Sequence, residues 1–71
     1  MDKDTARAIL PLVNDLERYE LLQLFVRNRI ETLRGYLEST KEINKVLEIQ
    51  GSIAELRRFQ TLREQSIEGS K

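Results

Sequence analysis

Arg27, Arg34 and Arg57 come nearest, by type and spacing, to residues that could do chemistry together. A guanidinium is planar, permanently charged and forked, so a cluster of them matches the oxygens of a phosphate or carboxylate. The three fall just to one side of the apolar seam described below, and in two antiparallel helices that is the same side of both. Gln23 and Gln50 share it, giving a face of three arginines and two amides, with Arg27, Arg34, Gln50 and Arg57 as the candidate anion contacts. Ion pairing is the plainer use of the same residues: Glu31 stands four residues beyond Arg27, and Glu20 is expected near Arg57. Such a face is then an ordinary solvated flank. Arg57-Arg58 before Phe59 adds only a weak nucleic-acid signal.

Catalysis has little to draw on. The chain has no cysteine and no histidine, which removes thiol nucleophiles, thiolate metal sites, disulfides, the commonest general base and the commonest zinc ligand. Glu17 with Glu20, and Glu38 with Glu42, are carboxylate pairs only as every charged helix has them. No glycine-rich phosphate loop or nucleophile beside a base is present. A non-enzymatic protein with no metal or cofactor is expected. The 12 basic and 12 acidic residues cancel, whereas duplex-DNA binders carry a basic excess, so that partner is disfavoured. No apolar run approaches the about 20 residues that span a bilayer, and the acidic start Met1-Asp2-Lys3-Asp4 lacks an apolar stretch of signal-peptide length. No membrane role and a cytoplasmic location are expected.

The elements that position these residues are helical. Glycine and proline are scarce among 71 residues, and charged residues interleave with leucine and isoleucine. The sequence predicts one all-α domain over 1–71: a short helix at 4–12, long helices at 14–38 and 40–65, and a frayed tail at 66–71. Asp2 or Asp4 caps the first helix, Pro11 interrupts it, and Ala6, Ile9, Leu10 and Val13 form its apolar side. Asn14 with Glu17 reads as a capping box for the second. From there Leu16, Tyr19, Leu22, Val26, Ile30, Leu33 and Leu37 recur every three or four residues. Ser39 with Glu42 is a second box, opening a third helix whose seam is Val46, Ile49, Ile53 and Leu56. A break this short implies a tight antiparallel return, setting Leu37 near Ile43, Ile30 near Ile49, Val26 near Ile53 and Leu22 near Leu56.

Several residues are left outside that seam. Leu21 and Phe25 lie opposite it, with Leu24 to one side and Tyr36 farther along. Part of this surface is covered if the first helix folds across that end onto Leu21, Leu24 or Phe25, but Tyr36 lies too far along for that. Leu47, Gly51, Ala54 and Leu62 form a second line. A mid-helix glycine costs about 1 kcal/mol against alanine, so Gly51 points to close packing, within the chain or with a second copy, or to room for a ligand beside Gln50. Unused apolar stripes mark association. Leu21, Phe25, Tyr36, Leu47, Gly51, Ala54 and Leu62 are therefore the expected oligomer or partner interface, in a bundle of two copies or a larger ring.

The stretch from Glu42 to Arg57 reads V-x-x-I-Q-G-x-I-x-x-L-R from Val46 onward, after Leu33-Arg34-Gly35-Tyr36-Leu37-Glu38. It resembles short helical-hairpin proteins of tailed-bacteriophage genomes over roughly Ile30 to Leu62. The resemblance implies a phage origin more than a mechanism: a virion accessory, an assembly factor or an inhibitor of a host system, in the host cytoplasm or the virion. Self-association and protein binding are the expected function. Sequestering an anionic nucleotide signal of host immunity is the alternative, and nucleic-acid binding a weaker one.

Overall fold

Asp2 starts the first helix. Its carboxylate accepts from the Thr5 amide at 2.8 Å and the Thr5 hydroxyl at 2.9 Å. These bonds, the backbone one foremost, hold the carboxyl below its ordinary pKa. The computed structural model describes all 71 residues and contains four helices and no strand: α1 (Lys3–Asn14), α2 (Leu16–Ser39), α3 (Ile43–Phe59) and α4 (Leu62–Gly69).

Local boundaries differ from the expected ones in instructive ways. Pro11 lies inside α1 rather than ending it. Ala6 and Val13 are fully buried on either side of it, so packing holds both flanks, while the exposed ring forfeits only its own amide bond. Asn14 is the last residue of α1, and the cap of α2 falls one residue later. Asp15 is extended and accepts from the Arg18 amide at 3.2 Å. The Ser39 hydroxyl does not cap α3 either. It turns back onto carbonyls near the end of α2, donating to Tyr36 O at 3.1 Å and Gly35 O at 3.4 Å. Glu42 then caps α3 without a side-chain bond.

The largest departure is at the C-terminal end. The helix expected over 40–65 stops at Phe59, turns through Gln60 and Thr61, and resumes as α4, so the expected frayed tail is a packed helix. Gln65 secures the turn, its Nε2 donating to Arg58 O at 2.7 Å and to Thr61 Oγ1 at 2.9 Å. The break lets α4 lie against α1. There Ser66 is fully buried and its hydroxyl donates to Ala6 O at 2.7 Å. A Cβ on Gly69 would stand 3.0 Å from Ala6 Cβ, so the two helices meet where both residues are small. Arg7 Nε reaches Ser70 O at 3.3 Å, and the Arg63 amide donates to Tyr19 Oη at 3.1 Å, tying α4 to α2.

α2 and α3 enclose the main core. Val26, Ile30 and Leu33 of α2 and Ile53 of α3 are buried together, with half-buried Leu22, Ile49 and Leu56 packed around them. At one end Gln23 Nε2 donates to Phe59 O at 2.7 Å. At the other, Tyr36 and Ser39 lie beside Lys45, Ile49 and Ser52. Ile43, expected against Leu37, is exposed, as is Leu16 at the start of the seam. The radius of gyration is 14.8 Å, against about 11 Å for a compact chain of this length.

Candidate association surface and arginine cleft

Two groups of residues stand out once the helices are in place. The first is apolar. Leu21, Phe25, Tyr36 and Leu47 are 62%, 64%, 54% and 59% exposed, and Gly51 and Ala54 are exposed as well. On α2, Phe25 is four residues beyond Leu21, and Tyr36 a further three turns on, so the three share a line. On α3, exposed Ile43 joins Leu47, Gly51 and Ala54 at intervals of four, four and three, forming another line. The first line carries large side chains. The second has a gap at its middle, since no atom lies within 4 Å of where a Gly51 Cβ would be.

Three expectations about this surface need correction. α1 does not cover Leu21, Leu24 or Phe25, because its apolar side is taken by α4 and all three remain exposed. Leu62 leaves the α3 line. It belongs to α4 and is half-buried near Met1, Phe59 and Gln65. Close packing within the chain does not explain Gly51, whose surroundings are open. Replacing Gly51 with alanine therefore removes the helix penalty of about 1 kcal/mol without a clash. Thermal melts of dilute protein should show the midpoint rising by about 4–8 °C. A lower midpoint would mean that something in the folded chain needs that space.

The second group is cationic. Arg27 and Arg34 of α2 and Arg57 of α3 converge, as their spacing predicts, on a cleft of about 110 Å³ that they line with Ile30, Glu31 and Gln60. Gln50 is exposed farther along α3 and is not part of it. Gln60, the residue after α3, supplies an amide in its place, and the sequence offered no sign of it because that region reads as continuous helix. Gln23 is committed to Phe59 O. The expected ion pairs also differ. Glu31 pairs with Arg34 at 2.9 Å, one helical turn away, instead of Arg27. Glu20 does not reach Arg57, and neither Arg27 nor Arg57 has a carboxylate within 4.0 Å.

Fold and surface thus define a small all-α protein with an elongated body, bare apolar lines and one arginine cleft. No helix is long and apolar enough to cross a membrane. Compared with known proteins, the chain matches no family model, no curated protein and no solved structure.

Proposed function

We propose that α2 and α3 act as an antiparallel helical hairpin whose exposed lines join copies of this chain into a homo-oligomer, and that the assembly is a non-enzymatic protein-binding module. The observation that carries this reading is surface area. The chain exposes 5424 Å², whereas a compact monomer of 8.3 kDa exposes about 4,600 Å² by size scaling. The excess of about 820 Å² is close to the about 800 Å² per partner of a standard interface. It is also apolar where it should be, at Leu21, Phe25, Tyr36 and Leu47, and a second copy could bring large side chains of one line to the gap at Gly51 in the other.

The resemblance around Ile49-Gln50-Gly51 adds a context to this reading: a phage protein serving as virion accessory, assembly factor or inhibitor of a host system. Light scattering and sedimentation at micromolar concentration test the association itself. The expected mass is a multiple of 8.3 kDa. A mass of one chain throughout the micromolar range overturns the reading.

A further inference from the structure

The arginine cleft lies apart from the apolar lines and calls for its own explanation. Ordinary ion pairing accounts for Arg34, which has Glu31 at 2.9 Å. It does not account for Arg27 and Arg57, which come from different helices, approach the same cleft and have no carboxylate within 4.0 Å. Three guanidiniums against one carboxylate leave a local positive excess in a chain whose formal charge is zero. Like charges held together by the packing of two helices are relieved by an anion between them. Buried Ile30 among the lining residues removes solvent from one side.

We infer that this cleft binds a single tetrahedral oxyanion, a phosphoryl or sulfate group, between Arg27 and Arg57, with the Gln60 amide as a further donor. The cleft, about 110 Å³, has room for several waters and hence for a tetrahedral oxyanion; it is open to solvent, so the rest of any larger ligand would lie outside it. The forked donors of arginine suit such oxygens better than lysine would. Because the side chains are exposed, the affinity is modest and falls with salt.

The test is an NMR titration of the arginine Nε–H resonances with inorganic phosphate, at ionic strength held constant with chloride. Saturable shifts of Arg27 and Arg57 are expected. Arg57→Gln should weaken binding about fivefold, as loss of one exposed charge-assisted contact does. Arg29→Gln, which removes the same charge from α2 outside the cleft, should leave it unchanged. Glu31→Gln should tighten it. Adenosine monophosphate, run alongside phosphate and adenosine, identifies the source. Tighter binding than phosphate means the phosphoryl end of a larger ligand, and equal binding means the free oxyanion. Absence of saturable shifts, or equal loss in Arg57→Gln and Arg29→Gln, overturns the assignment. So does dissociation of an oligomer by phosphate, mimicked by Arg57→Gln, because the cleft would then hold a carboxylate of a neighbouring copy. The wild-type mass without phosphate reports on self-association independently.

Discussion

Replacing Ile53 with alanine is expected to leave most of the chain unfolded at room temperature. Ile53 is the one buried residue of α3, and with Val26, Ile30 and Leu33 it completes the only cluster of fully buried apolar side chains between α2 and α3. Truncating a buried isoleucine to alanine costs about 2–5 kcal/mol, from lost transfer energy and the cavity left behind. A single core at this chain length supplies about 3–5 kcal/mol in all. The loss is therefore comparable with the whole stability. Little can refill the space, because Ile49 and Leu56 are already committed around the cluster and partly in water. Circular dichroism should show most of the helical signal gone and no cooperative melt. Ile43→Ala is the matched control, since Ile43 is 68% exposed and its truncation should move the melt little. A cooperative transition for Ile53→Ala within a few degrees of wild type would place the stability elsewhere, at the contact between α1 and α4.

That contact is also where the sequence was least legible. The α2 and α3 core could be read from apolar spacing alone: Val26, Ile30, Leu33 and Ile53 are buried, and the spacing predicts all four. The apolar side of α1 was legible too, with Ala6 and Val13 buried and Ile9 and Leu10 half-buried. What covers that side was not. α4 has no long hydrophobic repeat, and the residue that docks it is Ser66, whose burial depends on a carbonyl sixty residues earlier in the chain. Serine and glycine near a terminus read as fraying, yet Ser66 and Gly69, three residues apart, are what allow close approach to Ala6. The turn at Gln60 and Thr61 is equally silent, lacking glycine or proline, because it is set by the docking of α4 rather than by local preference. The cleft was half legible for the same reason. Arg27, Arg34 and Arg57 lie on regular helix and their spacing brings them together, whereas Gln60 enters only through the unforeseen turn.

Phe25→Glu should reduce the protein to a folded monomer. The expectation follows from two facts that separate association from folding. Phe25 is 64% exposed in the single chain and is not a member of the buried cluster, so a carboxylate there stays in water and the melt of dilute protein should be nearly unchanged. In an interface built on the Leu21, Phe25 and Tyr36 line, the same carboxylate would be buried without a partner. A buried unpaired charge costs several kcal/mol, so the association constant should fall by about a hundredfold or more. Leu47→Glu should do the same from the other line if unlike lines meet, and Gly51→Ala should weaken association while strengthening the chain alone, a pairing of signs that general destabilisation cannot produce. Leu16→Glu is the specificity control. Leu16 is 65% exposed but lies outside both lines, so it should leave the mass unchanged. If Leu16→Glu disperses the assembly as effectively as Phe25→Glu, association rests on diffuse stickiness of an apolar surface and the defined interface is wrong. If Phe25→Glu keeps the wild-type mass, the Leu21–Phe25–Tyr36 line faces something other than a second copy.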